Sequence, residues 1–145
     1  MEELKLMWNN MFNYRGRARR REYWIPQLWI TLLVFVEAIM MVVVALLTEV
    51  NEDVFTIVLL LLLLAMLVIN FGISLATISL TVRRYHDIGM SGWWYLLIAA
   101  LGSIGVGGII NLVFMCMDSG ADNQWGPNPK GYSSINYGGN QNYGN

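Results

Sequence analysis

Two apolar stretches of bilayer-spanning length decide most of what this chain is able to be. Residues 54–69 are an almost unbroken run of Leu, Ile, Val, Ala, Phe and Met, and residues 24–47 hold a single charged side chain, Glu37. A hydrophobic segment of about 20 residues crosses a bilayer as a helix, because hydrocarbon offers an unpaired backbone N–H or C=O no partner. Composition agrees. Of 145 residues, 56% are hydrophobic and 13% charged, with a mean hydropathy of +0.48. That is too apolar and too sparsely charged for an ordinary soluble domain.

A third apolar stretch, 93–117, is interrupted in character by Gly102, Ser103, Gly105, Gly107 and Gly108. Ala99, Ser103 and Gly107 recur at i, i+4 and i+8, a small-residue stripe that lets another helix approach closely. A third crossing is expected, with a kinked or re-entrant segment as the alternative, since glycine weakens a helix. The fold class predicted is all-α: an integral membrane bundle of three transmembrane helices, 24–47, 54–82 and 93–117, led by a short amphipathic helix. Residues 1–130 form one domain. Residues 131–145 are rich in Gly, Asn, Tyr and Ser, cannot bury a core, and are predicted to be a disordered polar tail.

Charge is segregated. Arg15, Arg17, Arg19, Arg20 and Arg21 precede the first apolar stretch, whereas Glu49, Glu52 and Asp53 follow it. By the positive-inside rule the arginine side is cytoplasmic, so the N-terminus is inside, and the C-terminus is external if the third span crosses completely. Ahead of the arginines, Leu4, Met7, Trp8 and Met11 recur at helical spacing, which predicts an amphipathic helix lying at the interface or packed on the bundle's own loops as a lid. Glu2, Glu3 and Lys5 then lead into an Arg-rich region, so no cleavable signal peptide is expected. A basic run that abuts a membrane helix fits anionic lipid head groups, at about 1 kcal/mol per basic residue, and not nucleic acid. One Cys and one His cannot build a zinc site of the usual ligands, and no cofactor is implied.

Polar side chains inside apolar spans are functional candidates by default. Glu37 stands near the middle of the first span. In the second, Asn70, Ser74, Thr77 and Thr81 fall on one helical face. Glu37 and Asn70 lie at similar depth on antiparallel neighbours, so a contact between them is predicted. Interhelical hydrogen bonding is the favoured role; a proton or ion pathway is the alternative.

Between the second and third stretches sits the densest polar block, Arg83-Arg84-Tyr85-His86-Asp87-Ile88-Gly89-Met90-Ser91-Gly92-Trp93-Trp94. It reads as a tight connection at the membrane surface, with arginines ending one helix and an aromatic belt starting the next. With Arg17-Ala18-Arg19-Arg20-Arg21-Glu22-Tyr23-Trp24 and with Asn123-Gln124-Trp125-Gly126-Pro127-Asn128-Pro129, it resembles the bacterial inner-membrane family called domain of unknown function 805. The chain departs from that family's usual Gly-Thr-Pro-Gly, carrying Asp118-Ser119-Gly120-Ala121 instead. The resemblance implies a small multi-pass protein of the bacterial inner membrane and no particular chemistry.

Two helices between the basic blocks bring both to one face, where Arg17, Arg19, Arg20, Arg21, Glu22, Arg83, Arg84, His86 and Asp87 form an ionic cluster. The first functional reading is non-enzymatic: this cluster binds anionic lipid or a partner, either another membrane protein or a second copy of the chain in a homo-oligomer. A small transporter or channel subunit using Glu37, Asn70 and the Ser/Thr stripe is the second. A lipid-modifying enzyme using His86 and Asp87 ranks last, because adjacent helical residues do not face each other. His86 itself is read as a capping or head-group-contacting residue, with a titrating sensor as the alternative.

Overall fold

The computed structural model describes residues 2–46 and 52–130. Among the described residues five helices follow in order: α1 (Glu2–Asn9), α2 (Arg20–Leu46), α3 (Glu52–Asp87), α4 (Trp94–Gly102) and α5 (Val106–Cys116). The described residues contain no strand; an isolated bridge joins Asn123 and Gly126. Both α2 and α3 are long and apolar enough to cross a membrane. Their apolar side chains point outward, and Leu28, Phe35, Val42, Leu60, Leu64 and Phe71 are all exposed. A folded protein in water does not carry an apolar surface of that extent, so the solvent of these helices is lipid and the fold is a membrane helical bundle.

Boundaries differ from the sequence expectation in one instructive way. α2 starts at Arg20, not at 24, because the Glu22 carboxylate accepts from the Arg19 backbone N–H and the Tyr23 N–H bonds the Arg19 carbonyl. That is one half of a capping box. Pro26, expected in the opening turn, therefore lies further inside and leaves the Glu22 carbonyl without its usual i+4 donor. α3 has 36 residues, about 54 Å at 1.5 Å each, and it continues through the charged block to Asp87 instead of ending at 82. The expected outer loop falls largely at 47–51, outside the described residues, as does the predicted tail at 131–145.

The third apolar stretch takes a form of its own. One crossing over 93–117 was expected, but the segment is two short helices linked by residues 103–105. Gly105 adopts φ 81°, a left-handed backbone that reverses the chain. Gly107 then packs so closely that a Cβ there would stand 2.2 Å from the Ile98 carbonyl oxygen and 2.4 Å from the Gly102 nitrogen. The direction of return is fixed by the ends. Trp94 N–H bonds the Ser91 carbonyl just after α3, while the Met117 carbonyl accepts from Arg84 and Gly120 N–H bonds the Asp87 carbonyl at 2.9 Å. A straight helix over this stretch would separate its ends by about 35 Å. Here both ends meet the last turn of α3, so α4 and α5 form a hairpin, each arm reaching about half the thickness of a hydrocarbon core.

The core sits at that same end. Met7, Ala18, Tyr23, Ala76, Leu80, Tyr85, Ile98 and Met115 form one buried cluster around the last turns of α3. α1 closes it from the side. Ser79 donates to the Asn10 and Asn13 carbonyls at 2.7 and 2.8 Å, and the Trp8 ring lies over Gly72. The amphipathic helix thus packs on helices α2 and α3 and not on the bundle's loops, where a lid was expected.

Candidate functional site

Asp87 is the acceptor around which the charged residues gather. Its side chain is fully buried; Oδ1 accepts from Arg17 Nε at 3.0 Å, and Oδ2 accepts from Arg84 and from the Ser119 hydroxyl at 2.7 Å. Arg84 and Asp87 are three apart on α3 and so share a face, which the helix creates only because it runs on past 82. Arg17 arrives from the segment before α2. Its side chain is 2% exposed.

The terminal nitrogens of both guanidiniums also reach backbone carbonyls, while Arg84 Nε stays buried without a partner. Arg17 reaches Asp87, Gly120, Ala121 and Gly126, at 3.0, 2.6, 2.8 and 3.1 Å. Arg84 reaches Ala18, Met115 and Met117. A buried ion pair is stable only where good geometry and extra hydrogen bonds offset desolvation, and Arg17 has a partner for each of its nitrogens. Five separate pieces of chain are thereby held at one point: the segment before α2, the end of α3, the end of α5, and the turns at 119–121 and 126.

His86 belongs to the same construction. Its ring stacks on Trp125 with centroids 4.4 Å apart and planes at 6°, its Nδ1 lies 3.3 Å from the Gly16 carbonyl, and its own carbonyl accepts from Asn123 Nδ2 at 2.8 Å. Asn123 Oδ1 in turn takes the Trp125 N–H at 3.0 Å, which shapes the turn before Pro127. The three sequence blocks at 17–24, 83–94 and 123–129 are therefore the three sides of one clasp.

The structure sorts the remaining candidates. Arg17, Arg84 and Asp87, expected on a lipid- or partner-facing surface, are interior, because Asp87 is the counter-charge of both arginines. Arg19 and Arg21 are exposed, and Arg21 pairs with Glu3 at 2.9 Å. The carboxyl of Glu3 is held below its ordinary range, first by its own backbone N–H and then by Arg21. Arg20 is half exposed, donates to the Met117 carbonyl at 2.7 Å and pairs loosely with Asp118. Asp118 also takes Lys130, whose hydrogen bond is the main cause that lowers its carboxyl. Arg83 is buried near Glu22, and its Nε and one terminal nitrogen have no hydrogen-bond partner.

Deeper in the bundle, Asn70 Nδ2 donates to the Glu37 carboxylate at 3.0 and 3.3 Å, the cross-helix contact the sequence predicted. The rest of the stripe turns inward on its own helix: Ser74 donates to the Asn70 carbonyl and Thr81 to the Thr77 carbonyl. Thr77 Oγ1 is buried without a partner. Among the described residues no three His, Cys, Asp or Glu side chains gather to hold a metal ion.

Sequence reasoning missed Ser119 as a ligand of Asp87, the Asn123 cap on α3, and Tyr85, whose hydroxyl donates to Asn111 at 2.6 Å. The signal for Asn123 was present in the Asn-Gln-Trp-Gly-Pro turn. Nothing local marks Asn111.

Comparison with known proteins gives a consistent result. A family model described as "Protein of unknown function (DUF805)" matches residues 11–127. Inner membrane protein YhaH of Escherichia coli (strain K12) is 30% identical over 122 residues, 83% of this chain and 90% of that protein. Inner membrane protein YhaI of the same strain is 29% identical, covering 83% and 89%. No solved structure gives a significant match.

Proposed function

The chain belongs to the DUF805 family, and from that premise we propose a non-enzymatic protein of the bacterial inner membrane whose exposed arginines hold anionic lipid head groups. The relatives named above are inner membrane proteins, and this chain covers most of their length. α2 and α3 cross the bilayer completely; the α4–α5 hairpin enters from the arginine side and returns to it. By the positive-inside rule that side is the cytoplasm, so the N-terminal segment and residues 118–130 share it.

The observation that carries this reading is the sorting of the arginines. Arg17 and Arg84 spend their charge on Asp87 and on carbonyls, whereas Arg15, Arg19 and Arg21 remain exposed around the clasp at head-group depth. Exposed basic residues beside an anionic leaflet contribute about 1 kcal/mol each. The polar-path alternative has less support, because Glu37 and Asn70 satisfy each other and the hydroxyls at Ser74 and Thr81 bond their own helix.

The test is lipid selection. Protein purified from vesicles of equal phosphatidylglycerol and phosphatidylethanolamine is expected to retain the anionic lipid preferentially, and an Arg15→Gln, Arg19→Gln, Arg21→Gln variant to lose that preference. Equal retention of the two lipids by the unaltered protein refutes the reading. A reporter fused after Lys130 should be active in the cytoplasm; activity confined to the periplasm refutes the two-crossing arrangement.

A further inference from the structure

A cavity of about 330 Å³ lies between α2, α3 and the hairpin, about one to three helical turns from the clasp. Its inner wall is polar but uncharged, built from Gln27, Thr77, Thr81, Tyr95 and Asn111 with the Tyr23 ring. Its other wall is nearly without side chains. Ala99, Gly102 and Gly108 line it there, and all three are exposed on the face that the bundle presents to lipid. A second cavity of about 250 Å³ continues past the shared residues Thr77 and Tyr95 toward Asn70 and Ser74.

Thr77 supplies an independent sign that the space is meant to be filled. Its hydroxyl is buried with no hydrogen-bond partner, although Ser74 and Thr81, on the same helix, both bond carbonyls one turn back. An unpaired polar group within hydrocarbon is costly, and a threonine has an ordinary remedy in its own helix. Asn111 stands at the wall as well: Tyr85 takes its Oδ1 and the Tyr23 hydroxyl bonds its side chain, which leaves one amide N–H as a donor there.

We propose that this cavity binds the head of a neutral amphiphile bearing carbonyl acceptors, with a quinone head as the compact representative, and that its tail leaves between Ala99, Gly102 and Gly108. The chemistry selects that class. The Thr77 hydroxyl and the remaining Asn111 N–H lack an acceptor, and a ligand that accepts satisfies both. No charged residue lines the wall, so an ionised head would enter hydrocarbon uncompensated. The opening faces lipid and not water, so the ligand arrives from the bilayer. A mostly apolar pocket of about 300 Å³ or more with a few converging polar groups is the usual form of a small-molecule site. The inference needs only a membrane-embedded bundle, and it stands or falls apart from the lipid-selecting arginines.

Native mass spectrometry of the full chain, released from nanodiscs holding decylubiquinone, tests it. Retained decylubiquinone is expected on the unaltered protein, with affinity roughly two- to thirteenfold lower on Thr77→Val, the ratio that one hydrogen bond of about 0.5–1.5 kcal/mol gives. Ala99→Leu, which narrows the opening, should abolish retention. Because Thr77→Val replaces an unpaired hydroxyl by a methyl, it should unfold no more easily than the original, so its loss of ligand is not a loss of fold. Three results overturn the proposal: equal retention on all three proteins, equal retention of dodecane, or displacement of decylubiquinone by oleate at equal concentration.

Discussion

Replacing Asp87 by Asn should be among the most damaging single changes in this protein. The substitution keeps the side chain's shape and removes one charge. It leaves the guanidiniums of Arg17 and Arg84, 2% and 0% exposed, facing each other without a counter-ion. Removing one partner of a buried ion pair costs about 3–5 kcal/mol, chiefly because the surviving charge stays desolvated, and here two charges survive. Against that, the carbonyls of Gly120, Ala121, Gly126, Met115 and Met117 still receive guanidinium donors. We therefore expect a loss of about 3–5 kcal/mol, measured by denaturant titration of the purified protein in detergent. Digestion of residues 118–130 should accelerate in parallel, because the clasp is what holds that segment. Arg17→Gln combined with Asp87→Asn should cost less than the sum of the two single changes, since the double variant removes one orphaned charge. Arg19→Gln, at an exposed position, should stay within about 0.5 kcal/mol of the original. An Asp87→Asn protein within 1 kcal/mol of the original would sink the reasoning, because the arginines would then have to be hydrated or paired elsewhere.

Two further substitutions probe the membrane-embedded part. Gly107→Ala would drive a methyl against the backbone of Ile98 and Gly102, atoms that no rotamer change moves aside, so the hairpin must open or shift. Folded yield and thermal midpoint in detergent should both fall; an unperturbed midpoint would mean α4 and α5 are not packed this closely. Glu37→Leu should cost about 0.6–1.7 kcal/mol by removing the acceptor of Asn70, while Glu37→Gln, which still offers an oxygen, should cost less. Equal losses in the two variants, read by unfolding in mixed micelles, would show that the hydrogen bond to Asn70 is not what position 37 contributes.

Much of the architecture was legible in one dimension because lipid imposes it. Apolar length identifies α2 and α3, since a bilayer leaves the backbone of such a run no alternative to a helix. The depth of Glu37 and Asn70 in antiparallel neighbours was enough to bring them together, because two polar groups in hydrocarbon find each other or remain unsatisfied. The charged blocks were also recognisable as one cluster, by counting the crossings between them.

Sequence alone determined which segments enter the bilayer and which end carries the cations; only the tertiary structure decided whether those cations face outward or inward. The helical period says nothing about whether Arg17, three residues before α2, meets Asp87 or a phosphate, because that depends on where residues 119–126 return. They return only because 93–117 doubles back, and it doubles back at one backbone conformation, Gly105, and one close contact, Gly107 against Ile98. Composition registers both as glycines in an apolar run. Their consequence, a buried clasp in place of an open basic patch, is a property of the packed chain, since desolvation is set by neighbours distant in sequence.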